Sequence, residues 1–145
     1  ASNSVGCSHP PATIAVIAGP QAPTINYDRQ TLKDIFLKRI VVDASGVALA
    51  PLNLPPADPL RQAFSLALWG QPPEAKQHYW NERYFSGVTP PYVVRSQEAM
   101  LRFVADTPGA VGYVSDCLAD ARVTVVARLP APAEWAARLS GVCPE

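Results

Sequence analysis

Residues 13–18 (TIAVIA) form an unbroken apolar run, with the length and continuity of a strand covered on both faces. Gly19-Pro20 ends it. Further on, Leu32, Ile35, Phe36 and Ile40 recur at helical spacing, which predicts an amphipathic helix over 29–39. Asp28 stands where an N-cap carboxylate would accept the first free amide hydrogens. Tyr27 and Leu32 occupy the two positions of a hydrophobic staple, and Lys38 and Arg39 complement the dipole at the far end. After the turn at 44–46, residues 48–54 read as a second strand. Asp58-Pro59 opens a helix closed by Gly70, with Leu60, Phe64 and Leu68 toward the core. Pro72-Pro73 restarts the chain into a shorter helix through Trp80. Residues 92–95 are a short strand and Ser96 caps a helix over 97–106. Residues 110–114 and 122–129 are strands, and a last helix over 133–139 stops at Gly141.

Strands alternating with helices, with no run of hairpins, predict a layered α/β domain. The expectation is three layers: a mostly parallel or mixed sheet of about five strands, with helices on both faces. Residues 1–12 are small, polar and rich in turn formers, and read as a leader or arm ahead of one domain over 13–145. No internal repeat is visible. One strand stands out, because Gly112 sits at its centre. Glycine there weakens a strand and marks the close approach of a ligand or another part of the chain.

Composition narrows the function classes. With 48% hydrophobic residues in 145, the chain suits one compact core. Twelve basic and twelve acidic side chains cancel, leaving no electrostatic footprint for nucleic acid or anionic lipid. No apolar run approaches the roughly 20 residues that span a bilayer. Sixteen prolines, about twice the usual share, fall between the apolar segments. The sequence starts without methionine, which reads as an exported chain after removal of a signal peptide, or as trimming. Of the three cysteines, Cys7, Cys117 and Cys143, an exported protein would pair two; three reduced cysteines in the cytosol are the other reading.

Catalytic chemistry finds no foothold. No G-x-S-x-G elbow, Walker motif or G-x-G-x-x-G fingerprint occurs, so neither an enzyme nor a cofactor is expected. His9 and His78 have no carboxylate or cysteine at ligand spacing, and no metal site is expected. The segment 78–85 (HYWNERYF) is the densest aromatic patch. If it is helical, Tyr79, Trp80 and Tyr84 cannot all face one core. They pack onto the sheet or form an interface.

The order of these segments resembles the substrate-binding proteins of phosphate ABC transporters, of the type 2 periplasmic-binding fold. That family's segments read roughly L-x-x-I-F-x-G-K-I, then S-G-T-R-x-x-F, then P-G-A-I-G-Y-V. Here they stand as LKDIFLKRI, DPLRQAF and PGAVGYV, and the likeness covers about residues 13–129. It implies one lobe of a protein whose two lobes close on a ligand, with a periplasmic location and phosphate or another oxyanion as ligand. The family's S-G-T aligns with Asp58-Pro59-Leu60. Phosphate sits at a helix N-terminus because free amide hydrogens and the positive dipole end meet it. A carboxylate, a proline and a leucine remove those donors, and only Arg61 keeps its place. Arg61 is either a retained anion contact or a solvated helix-face arginine, and Asp28 and Asp58 are most simply caps.

The expected function is therefore that of an exported, non-enzymatic single lobe. It would act by protein contact or as a half-site completed by a partner or a second copy; the alternative is a small-ligand binder for phosphate or another oxyanion. Candidate ligand contacts are Arg61, Asp58, Asn26 and Ser115, and candidate interface residues are Tyr79, Trp80 and Tyr84. The last helix should run back antiparallel to the final strand. That return carries Cys143 toward Cys117, making this pair the candidate disulfide.

Overall fold

The computed structural model describes residues 13–19 and 25–140. The predicted leader 1–12, with Cys7 and His9, and the segment holding Cys143 lie outside them. Five strands form one sheet in the order β3-β2-β4-β1-β5: β1 is Thr13–Ala18, β2 Ala50–Asn53, β3 Tyr92–Val93, β4 Ala110–Ser115 and β5 Thr124–Pro130. β2 pairs parallel with β3 and with β4, whereas β1 pairs antiparallel with both β4 and β5. Four strands thus run one way, and the most apolar strand runs against them in their midst. The sheet is mixed, and the helices lie on both faces as the alternation of segments predicts.

The helices are α1 Arg29–Phe36, α2 Pro59–Trp69, α3 Gln77–Phe85, α4 Gln97–Asp106 and α5 Ala133–Ser140. Successive residues of β4 divide the layers, because neighbouring strand side chains point to opposite faces. Tyr113 faces α1 and α2: its ring stacks on Phe64 at 3.9 Å between centroids, with Phe36 edge-on to Phe64 at 5.0 Å. Gly112 faces α4. A Cβ built there would lie 2.4 Å from Met100 Sδ and 3.3 Å from a Val104 methyl. The central glycine makes room for a helix of its own fold, not for a ligand.

Local chemistry explains most of the element ends. Asp28, Asp58 and Ser96 each accept an amide hydrogen of the helix they begin, as N-caps do. Gly70 ends α2 in the left-handed region, at φ 72°. α1 stops at Phe36, before the predicted residue 39, because Lys38 adopts φ +58°. The family pattern has glycine at that position, and a side chain there carries strain. α3 supplies partners for the exposed end of α1. Tyr79 donates its hydroxyl to Leu37 O at 2.7 Å, and Arg83 Nη2 donates to Lys38 O at 3.1 Å. Leu37 is the C-cap of α1 and Lys38 the residue after it, so α3 holds the turn that ends α1.

The connection from β4 to β5 is a crossover. Ser115 lies opposite Ile14, whereas Thr124 lies opposite Ala18. The intervening eight residues therefore run back along the length of β1. A 3₁₀ turn at Asp116–Leu118 starts this return. Arg122 ties it to α4 through Glu98 at 2.7 Å and holds Asp120 at 2.7 Å, while Arg128 of β5 pairs with Asp116 at 2.9 Å. Cys117, on the 3₁₀ turn, is disulfide-bonded.

Candidate functional site

β2, β3, β4 and β5 end on the same side of the sheet, where α2 and α4 begin. Crevices outside the carboxyl ends of strands are where open α/β sheets place ligands, and three of the four candidate contacts gather there. Asp58 is the N-cap of α2, its Oδ1 accepting from Leu60 N at 2.8 Å. Pro59 contributes no amide hydrogen. Gln62 N already donates to Asp58 O at 3.1 Å. The helix N-terminus therefore offers an anion few donors and faces it with a carboxylate.

Arg61, in the first turn of α2, is half-buried. Its Nη1 donates to Leu54 O at 3.1 Å, and among the described residues it forms no ion pair. Desolvation by burial lowers its pKa from the usual arginine value, with Tyr113 and Glu74 pulling the other way. Beneath it, Tyr113 is fully buried and its hydroxyl is doubly used. It accepts from Leu54 N at 3.2 Å and donates to Asn53 Oδ1 at 2.8 Å. Burial raises its pKa above the ordinary phenol value. Asn53 and Tyr113 stand at this candidate site, and the sequence reading passed over them. Their signal, an asparagine at a strand end and a tyrosine inside an apolar strand, is common in cores.

Ser115 ends β4, 4% exposed. Its backbone N–H donates to Gln97 Oε1 at 2.7 Å, and its Oγ finds no hydrogen-bond partner among the described residues. Asn26 is not brought to this site. It is exposed and precedes the cap of α1, and Arg29 of that first turn donates through Nη1 to Ala67 O, in the carboxyl-terminal half of α2. Six residues of helix, about 9 Å, separate Ala67 from Arg61.

The aromatic candidates divide. Tyr79 packs edge-on to Trp80 at 4.9 Å and under Arg83, so its ring and hydroxyl serve the α1–α3 junction. Tyr84 is 67% exposed and its neighbour Phe85, which the sequence reading did not select, 89%. His78 does meet a carboxylate, Glu82 one helical turn on at 3.4 Å, but both side chains are exposed. Among the described residues no group of three potential ligands could hold a metal ion, and no helix is long and apolar enough to cross a membrane.

No protein-family model matches the sequence, and neither does any curated protein. Solved structures do match. One, with bound phosphate, is of a protein described as a phosphate ABC transporter substrate-binding protein from Clostridium perfringens. It is 18% identical with a TM-score of 0.65, over 79% of this chain and 44% of that one. An ABC-type phosphate transport receptor from Vibrio cholerae matches at 19% identity and TM-score 0.62, over 79% and 45% of the two chains. PstS from Borrelia burgdorferi matches at 14% and 0.51, over 73% and 41%. The chain thus spans less than half the length of these proteins, the extent of one lobe. At such identities the likeness is one of fold.

Proposed function

We propose that this chain is a non-enzymatic, exported binding lobe that supplies one wall of a cleft, the second wall coming from other polypeptide that closes over the carboxyl ends of its strands. Its fold is similar to that of phosphate-binding proteins, and three candidate contacts gather where a cleft would form. The observation that carries the reading is the N-terminus of α2. There Asp58 Oδ1 occupies the Leu60 amide, Pro59 has none, and Arg61 is turned onto Leu54 O. Inorganic phosphate is a poor fit to such an end, because a dianion would meet a carboxylate and few donors. A surface of this kind suits protein contact or a different ligand. Ligand sites of this type bury most of the ligand's surface, which one wall cannot do.

Isothermal titration of the purified chain with phosphate tests this directly. No micromolar binding is expected, and micromolar binding would overturn the claim that the phosphate site is lost. A second reading, an oxyanion binder acting through Arg61, is favoured by the half-buried guanidinium, which among the described residues forms no ion pair. It requires an Arg61→Ala variant to lose whatever anion binding the parent shows.

A further inference from the structure

Among the described residues, every large apolar side chain that is exposed lies in residues 41–47 or 84–93, and both segments meet on the outer side of β2. Ala50 N donates to Gly109 O, toward β4, whereas Leu49 N donates to Val41 O and Asn53 O accepts from Val94 N. Backbone groups of successive strand residues point to opposite neighbours, so Leu49 and Asn53 both turn away from β4. Residues 41–42 and β3 therefore stand in line as the outermost row of the sheet. The end of α3 adjoins this row. Arg83 Nη2 donates to Lys38 O, just ahead of Val41, and Tyr84 and Phe85 follow it before the chain enters β3.

Three features say what covers this flank. First, it is large. Tyr84, Phe85 and Tyr92 alone expose on the order of 400 Å². The valines and edge backbone bring the flank toward the roughly 800 Å² that each partner gives a stable interface. Second, it is neutral. Residues 84–94 carry one cluster of rings and small side chains and no charge. Asp43, the one charge in 40–49, is buried, its Oδ1 accepting from Ser45 N and Val47 N. Nothing there attracts an anionic lipid surface or repels an identical surface. Third, its edge is self-complementary. Val94 N bonds to Asn53 O, so the N–H and C=O of Val93 turn outward. Such an edge residue is donor and acceptor at once, as pairing with its own copy about a two-fold axis requires.

We infer that a second copy of this chain covers the flank. β3 pairs antiparallel with β3 of the copy, Val93 exchanges both backbone bonds with its counterpart, and Tyr84, Phe85 and Tyr92 pack at the interface. The two sheets then continue as one. Pro90 and Pro91 give no amide hydrogen and end the run just before β3, so the pairing is short and uses up this edge. Because the paired strands run in opposite directions, the carboxyl ends of the two sheets face opposite ways. The copy leaves each candidate cleft open, and this interface stands apart from the half-site reading.

Sedimentation equilibrium of the whole chain tests this, with phosphatidylcholine–phosphatidylglycerol vesicles as a second arm. A reversible dimer is expected, with a dissociation constant on the order of 10–100 µM, the weak end for an interface of this size. Val93→Pro removes the outward amide hydrogen and spares the bonds of β3 to β2, a change that strand edges accept. It should weaken the dimer by about tenfold or more. Phe85→Ser, at the most exposed ring of the flank, should weaken it by a similar factor without lowering the melting temperature. That variant keeps the test decisive if the proline variant folds poorly. Hydrogen exchange at the Val93 amide should slow as protein concentration rises. A chain still monomeric at about 500 µM, a dimer indifferent to both variants, or Val93 exchange that ignores concentration would each overturn the proposal. So would vesicle binding that both variants abolish while no dimer forms.

Discussion

Two glycines near the start of β4 show how one hydrogen in place of a side chain decides packing. At Gly112 an added Cβ would press on the flexible end of Met100, so Gly112→Ala should cost about 1–3 kcal/mol, the usual range for overpacking. At Gly109 the same atom would lie 2.0 Å from Ala48 O, at φ +82°. Backbone cannot yield as a thioether does, and Gly109→Ala should be the more damaging of the two. Urea denaturation of both variants checks the order; a more stable Gly109→Ala protein would contradict this account. Lys38 presents the reverse case, a side chain where the backbone is left-handed. Removing a strain of roughly 1–2 kcal/mol, less the entropy glycine returns to the unfolded chain, Lys38→Gly should stabilise the fold by up to about 1 kcal/mol, read from the same denaturation curves.

Among the elements, the contact most exposed to solution conditions is the one between α4 and the crossover. Hydrogen bonds from Arg122, then from Arg102, hold the Glu98 carboxyl below the usual glutamate range. Arg122, through side chain and backbone, does the same for Asp120. Folded-state pKa values below the unfolded ones mean that the unfolded chain binds more protons. The stability from this cluster is therefore present above the ordinary carboxylate values near 4 and lost as pH falls below them. Both carboxylates are exposed, so the effect is modest and screened by salt. Thermal melts from pH 7 to pH 3 should show a shallower acid dependence in Arg122→Gln than in the parent. Equal slopes would show that the cluster does not hold the crossover. α1 and α3 are joined less openly to solvent, by the part-buried hydrogen bonds that Tyr79 and Arg83 donate to the turn ending α1.

At the scale of the whole molecule, the crossover carries the chain past β1 to form the far edge of the sheet. After β4 the chain runs back along β1 and enters β5, leaving β1 flanked on both edges. Cys117 stands at the start of that return and is disulfide-bonded. We take its partner to be Cys143, since α5 follows β5 and precedes that residue by only a few positions. A bridge closing this loop would contribute on the order of 3 kcal/mol. Non-reducing peptide mapping should find Cys117 joined to Cys143, and a bridge from Cys7 to Cys117 would refute the pairing.

Much of the layout was legible in the order of residues, because the signals are local. Asp28, Asp58 and Ser96 mark helix starts by their own hydrogen-bonding reach, Gly70 marks a helix end, and the unbroken run TIAVIA marks a strand buried on both faces. The segments LKDIFLKRI and PGAVGYV carried the resemblance in fold, and Asp58-Pro59 marked the start of α2. What sequence order could not fix is whatever depends on contacts far along the chain. That β1 runs antiparallel between β4 and β5 follows from pairing across about a hundred residues. The partner of Gly112 is a helix side chain, and only the assembled layers show it. Tyr79 bonds to Leu37 over 42 positions, a contact that no local pattern announces. Arg61 stayed ambiguous in the sequence, between anion contact and solvated charge. Its half-burial, its hydrogen bond to Leu54 and its place beside aromatic side chains were decided by tertiary structure alone, because burial and the company of other rings are properties of the folded surface.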